Sequence, residues 1–383
     1  MRVAVLTTDS REHYKDYQCR EPYFGAAPEA LLSGFKQLPE VEVHVISCLQ
    51  REVISPEKLA SNIWYHGLHV PWWGWLRTGY QGCIRAVRSR VRAIHPDIVH
   101  GQGTERDCAI CAVFSGAPNV VTIHGNMAEL ARLFGARWGS YAWFAARLEG
   151  FALSRTAGVF CNSAYTEELV KSKARRTWRV ANAIREEFFS IPMSGHPPQK
   201  ATLINIGVIN ARKRQIELLE VIRELHEEGM PIHMRFIGHA SQTEPYAREF
   251  AERMAIASSK GYASYLGLLS TAEIIRSYDE AHGLVHFPSE EAFGLIAPEA
   301  LARKVRLFAS AVGGLVDIAA GLPDAHLYGV DDWAGLKNGL RMWVKNGYPR
   351  ASEATDTMFA RYNPKAIAEQ HREIYGELLS SLR

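Results

Sequence analysis

Glu291 and Glu299 stand eight residues apart in the stretch "SEEAFGLIAPEA", residues 289–300, with an apolar run and a proline between them. Two carboxylates can take hydrogen bonds from hydroxyl groups if the backbone brings them to one place. A single helix over the whole stretch would not do so, because eight residues rotate the second carboxylate by roughly 80° and raise it about 12 Å. Pro298 lacks an N–H and fits a helix only in its first turn. The spacing therefore predicts Glu291 in a loop and a helix starting near Gly294, with Glu299 on its second turn. "GLVHFP", 283–288, reads as the short strand before that loop. The amides of Phe293, Gly294 and Leu295 then lie at a helix start, where anions bind, and Gly294 lets a ligand approach the backbone. A phosphate with hydroxyl-rich groups on either side describes a nucleotide sugar, one glutamate serving the sugar and the other the ribose. Taken alone, the pattern also fits a surface helix with ordinary acids in its first turn.

The elements around this stretch must supply a scaffold. Short β-branched runs alternate with helical patterns along the chain. The first series predicts strands over 2–7, 42–47, 98–101, 119–123 and 158–162, and the second over 201–206, 233–237, 264–266, 283–286 and 305–309. Helical patterns between them include 28–37, 82–94, 214–228 and 271–279. Such alternation implies parallel sheets with helices on both faces. "SIPMSGHPPQK", with three prolines, reads as a linker over 190–200. It separates a domain over 1–189 from one over 201–361, and 362–383 reads as a last helix able to cross back to the first domain. The fold class read here is α/β, two doubly wound Rossmann-like domains facing a central cleft, with ligands at the carboxyl ends of the strands.

Composition narrows the function classes. The 383 residues carry a net charge of +3, which implies no nucleic-acid partner. No run of about 18 apolar residues occurs, and "MRVAVLTTD" reads as a strand rather than a signal peptide. The six cysteines are scattered, and Cys108-x-x-Cys111 has no second ligand pair, so buried thiols in a reducing cytoplasm are expected. With no Asp-x-Asp motif and no ligand spacing among the histidines, neither metal nor cofactor is expected.

"SEEAFGLIAPEALA" resembles the E-x7-E signature of the retaining family-four glycosyltransferases, the group 1 enzymes with the GT-B fold. "INIGVINARKRQ" resembles their Gly-x5-Lys phosphate segment, and "MRFIGHA" and "SAVGGLVDI" resemble later turns of the same domain. In the first half "HPDIVHGQG", "VVTIHGN", "VFCNSAYTEEL" and "RVANAIREEFF" follow the family's succession of strand ends. The resemblance implies transfer of a hexosyl or N-acetylhexosaminyl group from a UDP- or GDP-sugar to a hydroxyl acceptor, with an α-linked product. It places Glu291 on the donor sugar and Glu299 on the ribose. Phe293, Gly294 and Leu295 would face the diphosphate and sugar, and Lys213 the diphosphate. His124 would lie near the reacting carbon, Gly25 close to donor and acceptor, and Gly267 near the base. The family's arginine after the phosphate-loop glycine is here Val208, and Arg212 or Arg214 would supply the charge.

The chemistry needs positive charge and fixed N–H dipoles on a leaving diphosphate, with front-face attack in which a phosphate oxygen takes the acceptor proton. The implied acceptor is a glycan or a lipid-linked saccharide of cell-surface polysaccharide synthesis. Trp72, Trp73, Trp75 and Tyr80 precede a helix with Arg85, Arg88 and Arg92 on one face and Ile84, Val87, Val91 and Ile94 on another. This fits a peripheral contact with the inner face of an anionic membrane, and equally a solvated helix beside a partly buried loop. Two other classes stay open: a nucleotide-sugar 2-epimerase-like enzyme of the same fold, and a non-catalytic sugar-nucleotide-binding scaffold.

Overall fold

The computed structural model describes residues 1–133, 135–194 and 198–382. The chain divides into two compact units, one of residues 1–186 with 362–383, the other of 187–361.

The first unit is built on eight strands: β1 (Arg2–Leu6), β2 (Glu42–Leu49), β3 (Lys58–Ala60), β4 (Ile63–His69), β5 (Ile98–Gln102), β6 (Asn119–Ile123), β7 (Gly158–Cys161) and β8 (Thr177–Arg179). Their spatial order is β3-β4-β2-β1-β5-β6-β7-β8. All pairings are parallel except β3 with β4. Alternation along β1 sends Val3 and Val5 to one face, against Phe35, Ile367 and Tyr375. Ala4 and Leu6 go to the other, against Ile84, Val87, Val91 and Ile110. Burial on both faces is what produces continuous apolar strands.

Strands β3, β4 and β8 extend the sheet beyond the expected five. β4 reads "IWYHGLH", with Ile63 and Tyr65 buried and the rest partly or fully exposed near an edge, so it lacks the β-branched run that marks the central strands. The helix Pro364–Ser381 belongs to the first unit. It starts where the Asn363 side chain caps the Ala366 amide at 2.9 Å, and it packs on the helix Ala26–Lys36. The approach is close: a Cβ on Gly34 would sit 2.0 Å from the Pro364 carbonyl oxygen.

The second unit holds β9 (Ala201–Ile206), β10 (Ile232–Ile237), β11 (Ala263–Tyr265), β12 (Gly283–His286), β13 (Arg306–Ser310) and β14 (Ala325–Tyr328). They run parallel in the order β11-β10-β9-β12-β13-β14. Of the expected linker over 190–200, residues 195–197 lie outside the described residues. Residues 190–194 are not a free tether. Arg303, buried and paired with Asp279 at 2.6 Å, donates to the carbonyls of Ile191 and Pro192, and Asp279 accepts from the Ser194 amide at 3.0 Å. A buried guanidinium needs all its donors answered, and backbone carbonyls answer them here.

Replacing Gly34 by Ala forces the last helix away from its seat. The Gly34→Ala variant is expected to lose about 1–3 kcal/mol of stability in urea unfolding of the full chain. A midpoint equal to wild type would show that this contact does not seat the helix.

Candidate active site

In the second sheet the strand order reverses between β9 and β12, so the loops after those two strands lie side by side. The β9 loop carries Arg212, Lys213 and Arg214, and the β12 loop carries Glu290 and Glu291. The loops are tied by the Ser289 amide, which donates to the Arg212 carbonyl at 2.9 Å. Arg212 returns a hydrogen bond from Nη1 to the Glu290 carbonyl at 2.8 Å and pairs with its carboxylate at 3.1 Å. Within the β9 loop, Asn210 accepts from the Lys213 amide and the buried Gln215 holds the Val208 carbonyl.

These ties aim Lys213 at Glu291. The Lys213 ammonium donates to Glu291 Oε2, and His286 Nε2 reaches the same oxygen at 2.9 Å. Burial works to raise the Glu291 carboxyl, but the Lys213 charge, the His286 hydrogen bond and the nearby Arg212 outweigh it and hold it well below the ordinary carboxylate range. Burial, with Lys213 adding to it, lowers His286 to about 4, so near neutral pH it is an uncharged donor to an ionised glutamate.

The helix after the loop is Ile296–Ala302, two residues later than the spacing predicts, with Leu295 at its N-cap. Pro298 is its third residue, and Glu299 therefore lies in the first turn rather than the second. The reason is Gly294. Its φ of +90° breaks the helical path, and a Cβ there would sit 2.8 Å from Leu315. Glu299 and Phe293 are both buried, 4 % exposed each. The Gly314 amide donates to the Glu291 carbonyl at 3.2 Å, so the Gly313-Gly314 turn supports the site loop. Gly267 supports the neighbouring turn, its carbonyl accepting from the Gly238 amide at 2.8 Å.

Of the two arginines considered for the charge missing at Val208, Arg214 is engaged elsewhere, on the Val330 carbonyl and Asp331. Arg212 is the one beside Glu291.

His124 and Gly25 belong to the first unit. His124 follows β6, and its Nε2 lies 2.9 Å from Gln102 Oε1. Burial lowers its imidazole to about 4, against an opposing hydrogen bond to Asn182. Gly25 caps the start of the helix Ala26–Lys36. The expected aromatic surface is smaller than the sequence implies. Trp72 and Trp73 are exposed, but Trp75 and Tyr80 are buried, and the Trp75 indole donates to the Val70 carbonyl at 2.9 Å. An indole N–H that finds a backbone acceptor is stable inside the unit. Arg85, Arg88 and Arg92 are exposed, opposite the buried Ile84, Val87, Val91 and Ile94. The cysteines are less scattered than they read: among the described residues, ligand atoms of Cys48, Cys83 and Asp107, all buried, lie within 4.8 Å of one another.

Two family models meet near the middle of the chain. Glycosyltransferase Family 4 matches residues 31–188 and Glycosyl transferases group 1 matches 187–366. The chain belongs to the family 4, group 1 glycosyltransferases. It is a sugar-transferring enzyme by family, and its two parallel-sheet units are of the GT-B class. The sucrose-phosphate synthase of Thermosynechococcus elongatus has a similar structure, at a TM-score of 0.74 and 15 % identity over 100 % of both chains. Anabaena Alr3699/HepE, solved with UDP-glucose, gives 0.71 and 14 % over 100 % of both chains. The lipopolysaccharide outer core galactosyltransferase WaaB gives 0.67 and 14 % over 98 % of this chain and 100 % of that one. No curated protein matches the chain by sequence.

His286 and Glu290 escaped the reading from sequence. The available signal was position, since His286 ends β12 five residues before Glu291, but an isolated histidine in "LVHFP" carries no pattern of its own.

The lowered Glu291 carboxyl stabilises the fold above the unfolded carboxylate range, and this is lost as the pH falls through and below about 4. Lys213→Met leaves a buried carboxylate short of its main counter-charge. It is expected to cost about 3–5 kcal/mol in urea at pH 7 and to flatten the loss of stability below about pH 4, because the carboxyl is no longer held low. An unchanged urea midpoint and acid profile would contradict the pairing.

Proposed function

We propose that the enzyme is a retaining, metal-independent transferase that moves a hexosyl or N-acetylhexosaminyl group from a nucleotide-diphosphate sugar to a hydroxyl acceptor. The observation that carries this reading is the buried Glu291 carboxylate, ionised and held by Lys213 and His286 at the topological switch point. Both partners use Oε2, which leaves Oε1 to accept from donor-sugar hydroxyls. Lys213 has three N–H donors and gives one to Glu291, so the others suit diphosphate oxygens, with Arg212 beside it. Glu299 would take the ribose hydroxyls. Phe293, Gly294 and Leu295 would line the sugar and diphosphate, and Gly267 would lie toward the base. A lysine beside an arginine supplies on the protein the charge that a metal would otherwise bring to the leaving group. The family resemblance assigns His124, neutral, and Gly25 to the reacting carbon. A phosphate oxygen of the leaving nucleotide would take the acceptor proton, giving an α-linked product.

A similar structure solved with UDP-glucose supports a UDP-sugar donor, with a GDP-sugar as the other choice. The acceptor in this reading is a glycan or lipid-linked saccharide of cell-surface polysaccharide synthesis. Among the described residues no helix is long and apolar enough to cross a membrane. We place the enzyme in the cytoplasm, touching the inner face of the membrane through Trp72, Trp73, Arg85, Arg88 and Arg92.

A thermal-shift panel of UDP-, GDP-, ADP- and dTDP-sugars tests the donor. One of them at a hundredfold its Kd is expected to stabilise the protein by about 2.7 kcal/mol. Glu291→Ala is expected to abolish the preference for the sugar over the free nucleotide, and Glu299→Ala to weaken both. If both variants bind and transfer as wild type does, the assignment of these two glutamates is wrong. For the membrane contact, replacing Trp72 and Trp73 with Ser is expected to release the protein from phosphatidylglycerol vesicles in co-sedimentation. Equal pelleting of variant and wild type would remove that contact.

A further inference from the structure

The first unit carries a second pair of groups at strand ends. In its sheet the order reverses between β1 and β5, and the loop after β5 lies beside the loop after β6. The first loop holds Glu105, the second His124 and Gly125. Glu105 Oε1 accepts from the Gly125 amide at 3.0 Å. Glu105 Oε2 turns back over Gly103: a Cβ built there would sit 2.4 Å from that oxygen and 3.7 Å from His124 Cδ2. The carboxylate and the imidazole thus flank one point of backbone. Glu105 is half-buried, and no ion pair reaches its carboxylate among the described residues.

The surroundings fix this pair. The Thr104 hydroxyl donates to the buried Glu149 carboxylate at 2.6 Å, which also accepts from the amides of Met127 and Ala128 and so ties the two loops together. Tyr141 donates its hydroxyl to the Glu105 carbonyl at 2.7 Å and leaves its ring about half exposed. On the other side Gln102 holds His124, and Gln102 in turn contacts the buried His100 at 3.2 Å. His100 is held by Thr122 at 2.7 Å and by Tyr375 of the last helix.

We propose that Glu105 is a saccharide-binding residue that accepts a hydrogen bond from an acceptor hydroxyl beside His124, with the Tyr141 ring as a neighbouring apolar face. A fixed carboxylate next to an exposed aromatic ring is suited to a polyhydroxylated ring, which offers hydroxyl donors along its edge and C–H groups on its face. The assignment of the bound saccharide as acceptor rests on the reading of His124 given under the proposed function. Burial first, with Glu149 adding to it, raises the Glu105 carboxyl to about 7, while the Gly125 and Thr104 amides oppose the rise. The other ionisable groups near it are His124, Tyr141 and Cys108. The carboxylate forms as the pH rises through 7, so hydroxyl binding strengthens in that direction. His124, already neutral above about 4, adds no change there.

The test uses the full chain with octyl hexopyranosides as probes, read by saturation-transfer NMR, and follows UDP-glucose and GDP-mannose binding in parallel. Wild type is expected to bind at least one octyl hexoside at pH 8 and to lose up to about tenfold in affinity at pH 6 as the carboxyl takes up its proton. Glu105→Gln, whose amide oxygen can still accept from Gly125, is expected to bind about tenfold more weakly at pH 8 with no difference between pH 8 and pH 6. Glu105→Asp is expected to restore the pH dependence. Nucleotide-sugar affinity should be the same in all three proteins. Equal hexoside binding by wild type and Glu105→Gln overturns the proposal, as does a parallel loss of nucleotide-sugar affinity, or the absence of any hexoside binding to wild type. If instead neither nucleotide sugar binds wild type while the hexoside results stand, the donor reading fails and Glu105 remains a saccharide site.

Discussion

Burying a carboxylate is the constraint around which the strand ends of the second unit are built. A lone ionised glutamate with Glu291's small exposure would cost several kcal/mol, and the group would take up a proton instead. Lys213 and His286 prevent that by meeting the same oxygen from two directions. One partner comes from the loop after β9 and the other from the end of β12, so the ion pair is also a staple between two strand ends. The Arg212–Glu290 contacts and the Ser289–Arg212 bond repeat the link a few ångströms away. Lys213 and Arg212 thus stand side by side at these strand ends, each neutralised by a glutamate of the facing loop.

The first unit solves a different problem. Within β5 and just after β6 it carries histidines that burial keeps neutral, and each is held by polar partners rather than by charge. His124 rests on Gln102, Gln102 on His100, and His100 on Thr122 and on Tyr375 of the helix Pro364–Ser381. A buried polar chain is stable only when every member is answered, and it then allows few arrangements. The last helix thus does more than cover a sheet face, since its tyrosine is a member of the chain that ends at His124. The close seat of Pro364 on Gly34 fixes where that tyrosine stands.

The departures from expectation share a cause. Trp75 lies inside because its N–H finds the Val70 carbonyl, although its neighbours Trp72 and Trp73 lie outside. Residues 190–194 look like a tether but are held by Arg303, more than a hundred positions away. Cys48 and Cys83 meet although they are distant in the chain. In each case the deciding partner is remote in sequence and local periodicity does not report it.

The α/β class, the central strands and the family were legible in the chain's local pattern, because β-branched runs, helical spacing and the proline near Glu299 each act over a few residues. That pattern also marked Glu291 and Gly294, which share one strand–loop–helix turn, and the family resemblance marked Lys213 in another. Tertiary structure alone decided that His286 and Lys213 share one oxygen of Glu291. It likewise decided that Arg212 rather than Arg214 stands beside that acid, and that Glu105 lies next to His124. Those meetings are made by strand order, and parallel order brings together loops that the chain keeps tens of residues apart.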